Sequence, residues 1–317
     1  MATSRSLFAS PTARGLLALL TLISLTSCSG PEPTQPSRAT LSNGTASEAS
    51  GFGSASFYPL QIGNAWNYEG GGSFRDITDG PPGDPLFTYA FTESHRLIGA
   101  TSYEGASYVV EEQVHHEVPE DEGGPFIYWS RFRQDAAGLF VLDTLLTSPP
   151  SVGANAERAG LSTVSRIERA ALASGHPANP ALQRLARRLD ALKEAIRVGG
   201  RSNASGPSGL ELTELVYPLR VGQSWSIRPD FPWPARVDRV EGLDTPACRI
   251  TAYRIELDPF GTTVKEGEWV RVWWSRQGYL GYSIHFVDEE TDADGQPTGK
   301  VYVSDEAMTV TGINLVK

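Results

Sequence analysis

The chain has 317 residues, of which 40% are hydrophobic, and a formal net charge of −10 at pH 7. That hydrophobic content and length allow a sizeable core to be buried. The acidic balance argues against nucleic acid as a partner and against electrostatic adhesion to anionic lipid.

The first residues are typical of a secretory signal peptide. Arg5 and Arg14 precede an apolar run at residues 16–25, which is too short to span a bilayer as a mature helix and suits the hydrophobic region of a signal. The run ends in Leu25-Thr26-Ser27-Cys28, which resembles the bacterial lipobox. The resemblance implies that residues 1–27 are removed and that Cys28 carries a diacylglycerol thioether and usually a further acyl chain, palmitate being one such chain. The alternative is a plain signal peptide followed by an incidental Cys.

More than one acyl chain gives stable membrane anchoring. In lipoproteins of Gram-negative bacteria, Ser29 after the modified Cys implies the outer membrane, with the protein facing the periplasm or, alternatively, the cell surface. Removal of residues 1–27 deletes Arg5 and Arg14 and no acidic residue, so the net charge changes from −10 to −12. Cys248 is then the remaining thiol, so no internal disulfide can form. Residues 28–56 have almost no large apolar side chains and predict a flexible tether.

The opening of the folded region is a ten-residue segment that occurs a second time later in the sequence. Residues 58–67 read Tyr-Pro-Leu-Gln-Ile-Gly-Asn-Ala-Trp-Asn, and residues 217–226 read Tyr-Pro-Leu-Arg-Val-Gly-Gln-Ser-Trp-Ser. The identical pairs are Tyr58/Tyr217, Pro59/Pro218, Leu60/Leu219, Gly63/Gly222 and Trp66/Trp225. Weaker echoes follow in the same order: Arg96/Arg239, Tyr108/Tyr253 and Trp129/Trp274. We interpret this as a duplicated unit of roughly 90 residues, too long for a solenoid repeat. The alternative is two unrelated strand starts that share a turn.

Both copies are predicted to be antiparallel β. Tyr253, Ile255 and Leu257 alternate with charged residues, the period of two that half-buried strands require. The same pattern places Tyr108 and Val110 on the core face, with Glu111 facing away. In each opening a Pro keeps the chain extended and a Gly turns it, so that Trp66 or Trp225 should anchor a core.

Further strands are predicted at residues 126–132, 270–274, 282–287, 301–304 and 308–315. Hairpins are expected at Gly138 and Gly278, and residues 282–287 should pair with residues 301–304.

Between the copies the apolar period changes to that of a helix. Leucines recur at steps of three and four from Leu182 to Leu192, with Asn179 as the N-cap and Pro180 at the first helical position. A weaker helix at residues 161–173 would complete an αα-hairpin. The outer face of the long helix carries a basic strip: Arg184, Arg187, Arg188, Lys193 and Arg197. We expect either a solvated helix face or a docking face for lipid headgroups or an acidic partner.

No motif for catalysis or metal binding is complete. His116-Glu117 lacks the second His of a zincin helix, and Pro119 would break that helix. His115, His116 and nearby acidic residues could gather a cation, but an acidic hairpin end is the simpler interpretation. The acidic run from Glu290 imitates a calcium loop, yet its twelfth position is Val301. We therefore expect no enzyme, no metal and no cofactor.

Three tryptophans outside the openings are candidates for lining a ligand cleft: Trp233, Trp273 and Trp274. Because adjacent strand residues face opposite sides, one of Trp273 and Trp274 must leave the core side.

The opening at residues 58–68 is similar to that of bacterial envelope lipoproteins of unknown function, some of which resemble the Lol-type half-barrel carriers. That resemblance implies a curved antiparallel sheet and helices around a hydrophobic cleft. We therefore predict a mainly β fold made of two half-barrel-like antiparallel units with an αα-hairpin inserted between them. The expected segments are a signal peptide (1–27), a tether (28–56), a first β repeat (57–150), a helical insertion (151–208) and a second β repeat (209–317).

The predicted function is that of a membrane-anchored lipoprotein that binds a hydrophobic ligand or a lipidated partner. The alternative is a structural or assembly lipoprotein that docks an envelope partner.

Overall fold

The computed structural model describes residues 57–118, 125–143, 180–198, 210–228, 233–246, 248–258, 267–292 and 294–316. All of them lie within one compact unit, Ala49–Lys317. The predicted signal peptide, Cys28, the tether and the weaker helix at 161–173 fall outside the described residues.

The elements follow one another as a long meander. The strands are β1 (Ala65–Asp76), β2 (Asp84–Tyr103), β3 (Ala106–Val118), β4 (Phe126–Gln134), β5 (Gly138–Asp143), β6 (Leu210–Val216), β7 (Ser224–Ser226), β8 (Pro234–Asp244), β9 (Arg249–Leu257), β10 (Trp269–Ser275), β11 (Gly278–Thr291) and β12 (Pro297–Asn314). The helix α1 (Pro180–Val198) lies between β5 and β6.

The twelve strands form one antiparallel sheet in the order β6-β5-β4-β3-β2-β1-β12-β11-β10-β9-β8-β7. The two end strands, β6 and β7, lie close together. The Thr213 amide on β6 donates to the carbonyl of Ile227, the residue just after β7, at 2.9 Å. The Trp225 indole adds a bond to the Thr213 carbonyl at 3.1 Å. The sheet is therefore nearly closed and barrel-like, which shields the end strands that an open sheet leaves unpaired.

Strands from both predicted repeats belong to this one sheet, joined where β1 pairs with β12. The mainly β prediction is confirmed, as are the strands at residues 126–132 and 270–274 and the pairing of Phe286 with Ser304. The strands predicted separately at 301–304 and 308–315 are in fact one continuous strand, β12.

Helix α1 begins at the predicted Pro180 and turns its apolar side into the interior of the sheet. It contacts β4 on one side and β11 and β12 on the other. Because β4 and β12 are separated in the sheet by three strands, a helix that touches both must lie across the inside. Leu185, Leu189 and Leu192 are completely buried there. Among the described residues, no helix combines the length and apolar character needed to cross a bilayer.

The two openings make the same backbone hydrogen bonds. The Gly63 amide donates to the Leu97 carbonyl at 2.8 Å, and the Gly222 amide donates to the Val237 carbonyl at 2.8 Å. Both glycines have φ in the left-handed region, 98° and 85°, which only Gly adopts readily. The openings also meet at one residue, since Gln134 Oε1 accepts from the Tyr58 amide at 3.3 Å and from the Tyr217 hydroxyl at 2.7 Å.

The weaker sequence matches do not occupy equivalent positions when the two halves are aligned on their openings. In that alignment Leu97 corresponds to Val237, so their strand partners Glu111 and Ile255 correspond to each other. One strand further, Trp129 pairs with Glu112 on the face opposite to Glu111, whereas Trp274 is buried on the inner face.

Candidate functional site

A cavity of about 60 Å³ lies inside the sheet. A water molecule needs about 10–15 Å³ on this measure, so the space is equivalent to roughly four waters. Its polar lining consists of Glu93, His95, Glu111, Gln113, Ser130 and Glu214. Its aromatic lining consists of Tyr58, Phe132, Trp274, Tyr279 and Tyr282.

The polar layer comes from two adjacent strands. Glu93 and His95 are two positions apart on β2, and Glu111 and Gln113 are two positions apart on β3, so each pair faces the same side. The register places His95 directly opposite Gln113. All four side chains are buried. Buried charged groups are rare unless they are paired, and these are paired with one another.

His95 bridges two carboxylates. Its Nε2 lies 2.8 Å from Glu93 Oε1, and its Nδ1 lies 3.0 Å from Glu111 Oε1. Both ring nitrogens can donate to carboxylates only when the imidazole is protonated. Burial lowers the pKa of His95, but Glu111 and Glu93 outweigh burial and raise it from 6.5 to about 9. His95 is therefore an imidazolium at neutral pH.

Gln113 is bonded within the layer, which extends to two further side chains, His115 and Tyr58. His115 Nδ1 lies 3.1 Å from Glu93 Oε2, and Gln113 Nε2 donates to Glu111 Oε2 at 2.9 Å. The Tyr58 hydroxyl donates to Glu111 Oε1. Burial and then Glu111 raise the pKa of Tyr58 well above its ordinary value, which keeps this hydroxyl protonated and able to donate.

Glu214 reaches the cavity from a β-bulge. Leu139 pairs with Leu215 and Phe140 with Thr213, which leaves Glu214 as the extra residue of β6. A bulge commonly re-aims a side chain in this way. Burial and then the charge of Glu111 raise the pKa of Glu214 from 4.5 to about 7. Within the described parts of the chain, no hydrogen-bond donor contacts this carboxylate.

The predicted anchors occupy unequal positions. Tyr58 and Trp66 are buried, with ring centroids 5.0 Å apart, and the Trp66 indole donates to the Gln277 carbonyl at 2.7 Å. Tyr217 and Trp225 are only partly buried. Pro59 is partly buried and Pro218 is exposed, and the Tyr217–Pro218 peptide bond is cis.

Of the predicted cleft tryptophans, Trp274 alone is part of the cavity wall. Trp233 is buried in the core beyond the cavity. Trp273 lies on the face opposite to Trp274, where its indole donates to Glu241 Oε1 at 2.8 Å. Trp273 is nevertheless partly buried against the core cluster, so the expectation that one of these adjacent tryptophans leaves the core side stays a prediction.

A second depression of about 400 Å³ is lined by parts of β7 to β10. Its walls include the charged residues Arg236, Glu256, Asp258, Glu268 and Arg271. Its volume is in the usual range for ligand sites, but its lining differs from the apolar cleft predicted above.

His115 and Glu111 face the cavity layer, whereas His116 and Glu112 alternate with them and face away. No group of side chains among the described residues is arranged to hold a metal ion. Residues 119–124, which include the rest of that acidic segment, fall outside them.

Sequence reasoning missed the cavity because it placed Glu111 on the outer face of β3. Tyr108 and Val110 are buried as predicted, but so is Glu111, since both faces of this strand are covered. The usable signal is the spacing of Glu93 with His95 and of Glu111 with Gln113. When polar residues occur two positions apart on each of two neighbouring strands, their side chains lie on the same face of the sheet.

No family model and no curated protein matches the chain. Among solved structures, it is similar to a Bacteroides fragilis protein thought to be exported, with a YmcC-like fold, at 11% identity and a TM-score of 0.33, covering 82% of this chain and 100% of that one. A Parabacteroides distasonis protein thought to be a lipoprotein gives 10% identity and a TM-score of 0.30, covering 82% of this chain and 99% of that one. Similarity at this level carries no argument about function.

Proposed function

We propose that the protein is a non-enzymatic lipoprotein, anchored through Cys28 in the outer membrane and facing the periplasm, that binds or carries a hydrophobic ligand or a lipidated partner. The sequence of residues 1–28 supports the anchor. The observation that supports the ligand is the apolar interior of the sheet, which helix α1 occupies.

The helix takes the place that a hydrophobic ligand would need. Its buried leucines pack among strands on both sides of the interior, and the remaining cavity measures only about 60 Å³. Ligand sites typically measure about 300–1,000 Å³. An acyl chain could therefore enter only if α1 moved out, exchanging its leucine side chains for the chain of the ligand.

Polar contacts at the rim hold the helix in place. Arg184 Nε donates to Asp288 at 2.7 Å, and both terminal nitrogens of Arg188 donate to Glu268 at 2.9 Å. The predicted basic strip is thus partly used to fix α1 to the sheet. The two pairs differ in strength: Arg184 and Asp288 are partly exposed, whereas the Glu268 side chain is fully buried, so losing Arg188 would leave a buried carboxylate without its cation.

The test is binding of an apolar fluorescent probe to the purified protein in maltoside detergent. We expect Arg188→Gln to raise probe affinity several-fold because it loosens α1. Arg187→Gln is the matched control, since Arg187 is exposed on the same helix. If neither the parent protein nor Arg188→Gln binds probe, and mass spectrometry finds no copurifying lipid, the carrier proposal is wrong.

The anchor is tested separately with the two cysteines. We expect Cys28→Ser to move the protein from the membrane fraction to the soluble fraction. Cys248→Ser should leave fractionation unchanged, because Cys248 is a partly buried thiol on the folded unit. Membrane retention of Cys28→Ser would contradict the anchor without touching the ligand proposal.

Docking of an envelope partner is the second candidate. Ile62, Ile98 and Val316 are exposed by 51%, 38% and 44%, which is high for aliphatic side chains. They lie near one another, because Val316 lies next to Gly63, and the Gly63 amide donates to the carbonyl of Leu97, the residue before Ile98. An Ile62→Asp variant that lost a crosslinked envelope partner while still binding probe would favour docking.

We also infer that the sheet arose by duplication of a six-stranded meander, β1–β6 and β7–β12. The shared opening sequence and the matched Gly63 and Gly222 bonds support this inference. The boundary then falls after β6, later than residue 209, and α1 becomes an insertion between two strands of the first copy.

A further inference from the structure

The cavity wall contains polar atoms whose bonding capacity is unused. Gln113 is 5% exposed, and its Oε1 has no hydrogen-bond partner among the described residues, although its Nε2 is engaged by Glu111. The indole N–H of Trp274, which is 4% exposed, also lacks a partner in this part of the chain. Buried groups of this kind are normally satisfied by water or a ligand.

Negative charge exceeds positive charge around the cavity. Three carboxyl groups line it, those of Glu93, Glu111 and Glu214, and the one imidazolium in the lining is that of His95; His115 contacts Glu93 from outside the lining. His95 is shared between Glu93 and Glu111, so Glu214 is left without an opposite charge among the described residues. A bound cation would offset this excess.

Aromatic rings form the remaining walls at steep angles to one another. The rings of Tyr58 and Trp274 are 5.5 Å apart at 89°, and those of Trp274 and Tyr279 are 5.1 Å apart at 55°. Tyr282 adds a further ring. Aromatic cages of this kind, combined with carboxylates, recognise methylated ammonium groups through cation–π attraction.

We propose that the cavity between Tyr58, Glu214 and Trp274 binds a small methylated ammonium group such as that of choline. Its charge would face Glu214 and the acceptor Gln113 Oε1, and a neighbouring oxygen of the ligand would accept the Trp274 N–H. A volume equivalent to roughly four waters suits such a group. The proposal does not depend on a hydrophobic ligand, because the helix-filled part of the interior is not used.

The experiment is calorimetric titration of the full-length protein, in maltoside detergent, with choline chloride and with the neutral tert-butyl analogue of choline. We expect choline to bind and the uncharged analogue to bind about tenfold more weakly or not at all. Affinity for choline should rise between pH 6 and 8, because Glu214, whose pKa is about 7, gains its charge there while facing Glu93, Glu111, His95, Tyr58 and Tyr282.

Two variants test the assignment to this cavity. Glu214→Gln keeps the shape and removes the charge, and Trp274→Leu removes a cage wall; each should weaken choline binding by about tenfold or more. Glu69→Gln is the control, because Glu69 is exposed on the outside of β1. Circular dichroism confirms that each variant is folded. Absence of choline binding by the parent would mean that the cavity holds water only. Equal binding of the neutral analogue would contradict recognition of the ammonium charge, and unchanged affinity in both folded variants would place the choline site outside this cavity.

Discussion

The two halves of the sheet share a backbone pattern at their openings but differ in what they place inside. Gly63 and Gly222 donate to the carbonyls of Leu97 and Val237 at the same distance of 2.8 Å. A register shift follows directly in both, between Leu97 and Gly99 on β2 and between Val237 and Arg239 on β8. Positions in one half can therefore be matched to positions in the other by following the strand pairing.

The matched interior positions are polar in the first half and apolar in the second. The pairs are His95/Ala235, Glu111/Ile255, Gln113/Leu257 and Ser130/Val272. All eight side chains are buried. The fold thus accepts a plain apolar interior at these places. We therefore expect that the acids and the imidazole of the first half are not required to form the sheet.

The largest expected effect comes from removing one member of the polar layer. Glu111→Gln should lower the free energy of unfolding by about 3–5 kcal/mol, because it takes a partner from the buried His95 imidazolium. The matched control is Glu112→Gln, one residue along β3 on the opposite face, which should change stability by less than about 1 kcal/mol. Urea unfolding measures both. Equal losses in the two variants would show that the layer is not a connected network.

Replacing four members of the layer with apolar residues, three of them taken from the matched positions of the second half, sharpens the comparison. A variant with His95→Ala, Glu111→Ile and Gln113→Leu, plus Glu93→Leu to avoid an unpaired carboxylate, should fold and be more stable than Glu111→Gln alone. It should also bind choline more weakly, because it lacks the acceptor Gln113 Oε1. Urea midpoints and the calorimetric titration provide the two readouts. Failure of this variant to fold would mean that the first half needs its polar interior.

The pH dependence of stability should be concentrated in the first half. The pKa of His95 is raised from 6.5 to about 9, so its stabilising contribution is complete below pH 6.5 and is lost as the pH rises to about 9. The pKa of Glu214 is raised from 4.5 to about 7, so its contribution is complete below pH 4.5 and is lost as the pH rises to about 7.

The melting temperature should therefore decrease in two steps as the pH is raised from 4 to 10, one between pH 4.5 and about 7 and one between pH 6.5 and about 9. Glu214→Gln should remove the decrease in melting temperature at lower pH. His95→Gln should remove the decrease at higher pH and should also destabilise the protein at neutral pH. A His95→Gln variant whose melting temperature keeps the full decline above pH 7 would contradict the protonated state assigned to His95.

Much of the scaffold could be predicted because its signals are local. Pro180 and the spaced leucines define α1, and alternation defines strands such as β9 and β10. The closed arrangement could not be predicted, since no local pattern shows that β1 pairs with β12 or that Thr213 reaches Ile227. These contacts join residues far apart in the chain.

The candidate site was missed for a different reason. Alternation identifies two faces of a strand but not which one is inner when both carry polar residues, as in β3. Glu214 is harder still, because it is the extra residue of a bulge in β6, and simple alternation from the buried Leu212 and from the buried Leu215 assigns it to opposite faces. Of the three tryptophans predicted to line a cleft, Trp274 lines the cavity, and Trp233 and Trp273 do not.

The smallest expected effect separates the two openings themselves. Trp66→Phe should cost about 1–3 kcal/mol, because it leaves the Gln277 carbonyl without its donor and removes part of a fully buried ring. Trp225→Phe should cost less than about 1 kcal/mol, because Trp225 is only partly buried and water can replace its bond to Thr213. Urea unfolding of the two variants, followed by far-ultraviolet circular dichroism, provides the comparison. If both substitutions cost the same, the second indole is as tightly integrated as the first, and the difference between the halves is confined to the layer around His95.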